Sequence, residues 1–196
     1  MGTVIVKYNA GNIRSVLFAL ERIGVEALVT DDAATIRKAD RVIFPGVGEA
    51  SSAMQYLRTK GLDEVIKSLT QPVLGICLGM QLMCAHSEEN DSNCLGIFNQ
   101  QVLRFPETPG FKVPQIGWNN IADLHSPLFA GITENEYMYF VHGYFVEACE
   151  SAIAMTNYIQ PYSSAIQKDN FFAVQFHPEK SGVAGEKILK NFVTMH

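Results

Sequence analysis

Residues Pro72-Val-Leu-Gly75-Ile-Cys77-Leu-Gly79-Met-Gln81 decide how the rest of the chain is read. The run opens as a buried apolar strand, passes through Gly-x-Cys-x-Gly, and continues as a helical pattern over residues 78–86. That is the cysteine version of a nucleophile elbow. The two glycines permit a tight strand-to-helix turn that holds the Cys77 side chain up and exposed. A helix N-terminus behind the sulfur favours thiolate over thiol. The amide of Leu78, the next residue, is placed to donate to an oxyanion. The competing reading is a small buried hydrophobe, the commonest fate of free cysteine.

Upstream, strand and helix patterns alternate. Residues 3–7 form a β-rich run; Ile13, Val16, Leu17, Leu20 and Ile23 then recur at helical spacing, with Gly24 as a stop. Residues 25–29 read as a second strand, Asp31-Asp32 as the cap of a short helix, and 41–44 as a third strand broken by Pro45-Gly46. Residues 50–69 carry helical turns interrupted at Gly61. This order predicts an α/β fold: a mixed, mostly parallel sheet flanked by helices. Downstream, short β-rich runs (136–147, 152–158, 164–168, 171–176) read as antiparallel hairpins added to that sheet, and 181–195 as one helix. With no linker or repeat, residues 1–196 are expected to be a single domain.

A thiolate nucleophile needs a base, and the base needs an orienting group. Phe171-Phe-Ala-Val-Gln-Phe-His177-Pro178-Glu179 supplies both. On a strand Gln175 and His177 share the face opposite Phe172, Val174 and Phe176. Pro178 biases His177 toward an extended conformation, and continued extension puts Glu179 on the same side. A third element, Arg41-Val-Ile-Phe-Pro45-Gly46-Val47-Gly48, ends a strand in a glycine loop whose amides can supply a second oxyanion donor. It lacks the Lys-Ser/Thr of a phosphate loop.

Weaker candidates have plainer readings. His86, His125 and His196 have no partner at ligand spacing. Cys84, two helical turns beyond Cys77, is expected to pack on the same face. Residues 137–144 show strand alternation typical of core, and Trp118 reads as core or as a partner anchor.

Composition narrows the function. Of 196 residues 47% are apolar and 18% charged, against disorder, and the net charge of −5 without a basic stripe disfavours nucleic acid and anionic membranes as partners. No basic region followed by an apolar stretch opens the chain, the four cysteines form no C-x-x-C, and no apolar run spans a bilayer. The expected compartment is the cytoplasm. No metal site and no cofactor are expected.

Taken together, these segments resemble the class I, or triad-type, glutamine amidotransferases over essentially the whole chain. Gly75-Ile-Cys77-Leu-Gly79-Met-Gln81 and His177-Pro-Glu179 look like that family's catalytic signatures. A narrower likeness is to the glutaminase subunits of imidazole glycerol phosphate synthases. It rests on Tyr8-Asn-Ala-Gly-Asn12-Ile-Arg-Ser15, Pro45-Gly-Val-Gly48, Ile116-Gly-Trp-Asn119, Tyr139-Phe-Val-His-Gly-Tyr144 and His177-Pro-Glu-Lys-Ser181. The resemblance implies that Cys77 attacks the carboxamide of glutamine, His177 shuttles the proton and Glu179 orients it. It implies an oxyanion hole from Leu78, Gly79 and a Gly46–Val47–Gly48 segment that must reorient, and glutamine binding by Gln81 with the backbone of His142, Gly143 and Tyr144. Ammonia would pass to a (β/α)8-barrel cyclase subunit in a heterodimer serving histidine biosynthesis, with Asn12, Trp118, Tyr139 and Lys180 toward that partner.

Two residues depart from the family pattern: Ala10 stands where a glycine is frequent, and Gly143 where a small hydroxyl residue is common. Contacts to substrate through backbone would survive the second change. Rival readings keep the glutaminase but feed a sugar-amidinating or vitamin B6 synthase, or make the chain a stand-alone thiol hydrolase or a scaffold on the same fold.

Overall fold

The first half of the chain builds strands that each hand over to a helix. β1 (Thr3–Val6) leads to α1 (Ile13–Arg22), β2 (Ala27–Thr30) to α2 (Ala33–Lys38), and β3 (Arg41–Gly46) to α3 (Ala50–Lys60) and α4 (Leu62–Lys67). β4 (Val73–Cys77) leads to α5 (Leu78–Met83). The computed structural model describes residues 2–9 and 11–195; Met1, Ala10 and His196 lie outside the described residues. Asp32 caps α2 by accepting from the Thr35 amide at 2.8 Å, as the Asp31-Asp32 pair predicts.

The second half is β-rich. It contains β5 (His86–Ser87), β6 (Ser92–Asn93), β7 (Gln101–Arg104), β8 (Gln115–Ile121), β9 (Glu136–His142), β10 (Tyr144–Val146), β11 (Ala152–Tyr158), β12 (Gln160–Lys168) and β13 (Phe171–Val174), and closes with α6 (Gly182–Thr194). The main sheet runs β2-β1-β3-β4-β13-β12-β10-β7-β5-β6, with β11 paired to β12. It is parallel from β2 to β13 and mainly antiparallel beyond. This is the mixed sheet with added antiparallel strands that the sequence predicts.

Side-chain alternation along the central strands feeds two apolar layers. Val4, Val6, Val42 and Phe44 pack under α2, α3, α4 and α5. Ile5, Ile43, Leu74 and Ile76 pack against α1 and α6. Covering both faces explains the uninterrupted burial of β1 and β4.

The structure departs from the sequence reading in five places. β3 continues through Pro45 and Gly46, its pairing to β4 ending at Gly46↔Cys77. Pairing of β3 with β1 has already ended at Ile43, so the missing N–H of Pro45 costs no ladder bond on that side. The run 136–147 is two strands broken at Gly143: β9 pairs only with β8, in a separate two-stranded ribbon, while β10 belongs to the main sheet. The β8–β9 hairpin is therefore beside the sheet and not part of it. α5 ends at Met83, because the carbonyls of Leu82, Met83 and Cys84 accept from the amides of Leu95, Phe98 and Gly96 in the following loop. Finally, Cys84 and Cys77 occupy opposite layers. Helical spacing between them fails because Cys77 precedes the helix and Cys84 is already extended, with ψ 176°.

Candidate active site

Cys77 ends β4 with φ 53° and ψ −108°, a conformation that L residues avoid. Holding it costs on the order of 1–3 kcal/mol. The strands on either side of β4 and the packing of α5 impose it. At Gly79, the second residue of the helix, a side chain would collide with the carbonyl oxygen of Phe44, so α5 lies directly on β3. The strained elbow lifts the sulfur off the strand. Its thiol faces the Val141 carbonyl at 3.8 Å, and the Gln175 amide donates toward it at 3.6 Å.

His177 follows β13 and lies beside Cys77, close enough for the sulfur to act on its charge. Its Nδ1 lies 2.7 Å from Glu179 Oε1, with both side chains buried. The chain does not stay extended between them, as the sequence suggests. His177 is extended (φ −101°, ψ 93°), but residues Pro178–Lys180 form a 3-10 turn that folds the carboxylate back to the ring. Burial pushes the His177 pKa down, but the neighbouring Cys77 sulfur and the hydrogen-bonded Glu179 carboxylate outweigh it and raise the value to about 10. The His177 ring is thus an imidazolium at neutral pH. Asn12, at the start of α1, donates its amide to Glu179 Oε1 and lies 3.3 Å from His177 Nδ1.

A cavity of about 520 Å³ opens over the sulfur. Of the residues named from the sequence, Val47, Gly48, Cys77, Leu78, Gln81, His142, Gly143 and Tyr144 line it. Gly46 and Gly79 do not: both serve close packing, Gly46 under the Tyr8 hydroxyl and Gly79 against Phe44. Gln81 donates to the Tyr144 carbonyl at 3.1 Å and to Gln175 Oε1 at 3.0 Å. His142 meets the same carbonyl through Nδ1 at 2.7 Å. Burial lowers the His142 pKa to about 4, so the ring is neutral and donates from Nδ1. Its Nε2 lies 3.2 Å from the Tyr162 hydroxyl. The 142–144 backbone is therefore pinned from two sides.

Val141 also lines the wall, as do Glu89, Arg104, Val113 and Pro114, which were not singled out from sequence. Glu89 sits in a loop that reads as solvated charge, yet it is half-buried and accepts from the Ala50 amide at 2.8 Å. Its pKa is raised, chiefly by burial. Gln175 carried one signal: it stands two residues before His177, on the same face of a strand.

The four residues expected toward a partner divide. Trp118 is 55% exposed on β8, its ring edge-on to Tyr139 with centroids 5.8 Å apart, and Lys180 lies over the Tyr139 ring at 5.9 Å. Ile116 and Tyr137 extend this exposed apolar face of the ribbon. Asn12 instead turns inward to the His–Glu pair. His86 pairs with Asp91 at 2.8 Å, a surface contact. Among the described residues no group of three His, Cys, Asp or Glu side chains is arranged to hold a metal ion. No described helix is long and apolar enough to cross a membrane.

An elbow cysteine, a buried imidazolium and a carboxylate bonded to that ring, beside an open cavity, are equipment for acyl transfer from an amide or ester. Known proteins narrow this further. The "imidazole glycerol phosphate synthase subunit HisH" of Bacteroides thetaiotaomicron is 57% identical over 196 residues, covering all of both chains. The protein of the same name from Yersinia pseudotuberculosis is 46% identical, again end to end. Among solved structures, a glutamine amidotransferase aligns with a TM-score of 0.76 at 17% identity, over 98% of each chain. PurLQS from Thermotoga maritima aligns at 0.72 and 16%, over 98% of this chain and 97% of that one. These two show the same fold. The family profile for class-I glutamine amidotransferases matches residues 4–195, from the first strand to the end of the last helix. With the elbow cysteine and the His-Pro-Glu turn inside that span, the chain belongs to the class-I glutamine amidotransferases.

Proposed function

We propose that this chain is the glutaminase subunit of an imidazole glycerol phosphate synthase, acting as one domain through a Cys77–His177–Glu179 triad. The single observation that carries the chemistry is the buried His177 imidazole, 2.7 Å from Glu179 Oε1 and beside the Cys77 sulfur. The full-length identity to proteins named for that synthase supports the choice of acceptor pathway.

The thiolate attacks the side-chain carbonyl carbon of glutamine. Negative charge moves to the oxygen, where the Leu78 N–H, and the Val47 N–H once its segment has turned, can stabilise it. His177 gives its proton to the departing nitrogen, and ammonia leaves a glutamyl thioester. Water then attacks the thioester, returning a proton to His177 and the thiolate to Cys77, and glutamate departs. Glu179 keeps the ring oriented and its charge compensated. Glu89 and Arg104, of opposite sign in the cavity wall, complement the ammonium and carboxylate of a free amino acid. Gln81 and the Tyr144 backbone frame the carboxamide end.

The released ammonia goes to a (β/α)8-barrel cyclase subunit in a cytoplasmic heterodimer. The exposed Ile116, Trp118 and Tyr137 offer the apolar face for that contact, on the ribbon whose Tyr139 carbonyl accepts the His177 amide. The test is glutamate release by the purified chain alone, with the cyclase subunit of the same cell, and with that subunit's nucleotide ligand added. Strong turnover only in the ligand-bound complex supports the reading. Brisk turnover by the chain alone makes it a free hydrolase, and silence throughout removes the assignment.

A further inference from the structure

Tyr8 lies two residues beyond the end of β1, and only 6% of it is exposed. Its ring packs on Phe44 with centroids 5.1 Å apart. Its hydroxyl is fully buried and has no hydrogen-bond partner among the described residues. A buried hydroxyl left unpaired is unfavourable, so its persistence calls for a reason. Burial, with the charge at Cys77 adding to it, holds its pKa well above the ordinary tyrosine value, so it stays an O–H donor.

What the hydroxyl touches supplies the reason. It occupies the place where a side chain on residue 46 would stand, directly against the Gly46 backbone. Tyr8 belongs to the apolar layer opposite the one that holds Cys77. A peptide plane carries its C=O and N–H on opposite sides. If the Val47 N–H points toward the Cys77 side, the Gly46 carbonyl must point toward the Tyr8 side. The flanking backbone permits the rotation. Gly46 has no side chain, and Gly48 has φ 126°, so both neighbours of Val47 are free of Cβ constraints. The far side is tethered, since the Val47 carbonyl accepts from the Gly11 amide at 3.3 Å.

We propose that the Tyr8 hydroxyl is a positioning group for the oxyanion hole, donating to the Gly46 carbonyl when the Gly46–Val47 peptide turns its N–H toward the oxygen of a glutamine under attack by Cys77. The proposal rests on the glutaminase reading above. The unpaired hydroxyl marks the conformation described here as the one in which that bond is not made.

The test is Tyr8→Phe in the complex with the cyclase subunit and its nucleotide ligand. Three quantities are read beside the unsubstituted complex: kcat and KM for glutamine, the Tm of the chain, and the rate of Cys77 alkylation by iodoacetamide. Loss of a complete oxyanion donor costs about 100-fold or more in kcat; a group acting through the backbone should cost about tenfold. The expected result is that fall in kcat, KM within about twofold, an equal or higher Tm because an unpaired hydroxyl is gone, and unchanged alkylation. Unchanged kcat overturns the proposal. So does a fall in kcat accompanied by a lower Tm or slower alkylation, which marks a structural role. No glutamate release by the unsubstituted complex removes the glutaminase reading, and the Tyr8 role with it, before any substitution is compared.

Discussion

The side-chain amide of Asn12 donates to Glu179 across a separation of 167 residues. Asn12 opens α1 in the left-handed region (φ 76°) but makes no capping bond to that helix. An asparagine at a helix start ordinarily caps; this one is spent on the carboxylate that orients His177. Asn12→Gly keeps the backbone conformation and removes only the amide. We expect glutamine turnover to fall about tenfold, the ~1.5 kcal/mol of one hydrogen bond to a charged group, with little change in Tm. Steady-state kinetics beside a thermal melt checks this; unchanged kcat would remove Asn12 from the triad's support.

Titration of His177 tests the charge arrangement. In the folded chain its pKa of about 10 exceeds the ordinary value of 6.5. The folded state therefore binds the extra proton between those limits, so this group's stabilisation is complete below pH 6.5 and is lost as pH rises toward 10. Imidazole NMR should show His177 still charged at pH 8. In Cys77→Ala one of the two charges that raise it is gone, while the burial that lowers it remains, so the midpoint should fall by about a unit or more. The same variant should lose glutamine turnover, while ammonia-driven turnover of the complex persists.

His142 titrates in the opposite sense. Its folded pKa of about 4 lies below 6.5, so between those values the unfolded chain binds the additional proton and acidification destabilises the fold. The loss from this one group reaches about 3 kcal/mol by pH 4. In His142→Asn, whose amide can still donate toward the Tyr144 carbonyl, urea unfolding should show a shallower acid slope over that window. An identical slope in both chains would place the acid sensitivity elsewhere.

Gly79→Ala tests the packing beneath the elbow. The new methyl would meet the Phe44 carbonyl oxygen, a backbone atom of a central strand that cannot swing aside. A destabilisation of roughly 3 kcal/mol or more is expected in urea. A loss below about 1 kcal/mol would mean that α5 can shift on β3.

Much of this was legible in the chain itself. Gly75-Ile-Cys77-Leu-Gly79 announces a strand, a turn and a helix because glycine spacing and apolar run agree, and φ 53° at Cys77 is the strained turn that reading requires. The His177–Glu179 pairing was legible too, although by a different backbone route: proline constrains the residue before it but cannot report a 3-10 turn after it. Glu89 was not legible, because a charged loop looks solvated until the tertiary fold brings it against the start of α3. Nor was the opposition of Cys84 to Cys77, since helical spacing assumes that both residues lie within the helix.

The break at Gly143 has a consequence for which changes the chain can absorb. β9 carries Tyr139, whose carbonyl accepts the His177 amide at 2.9 Å, and three residues later it becomes the 142–144 turn at the cavity wall. Its other edge is paired residue for residue with β8, Trp118 facing Tyr139. One strand thus sets the frame for the exposed aromatic face, His177 and the 142–144 turn together. Substitutions along it act singly, but an insertion or deletion of one residue between 139 and 144 slips all three at once. Length in this stretch is therefore more tightly constrained than composition.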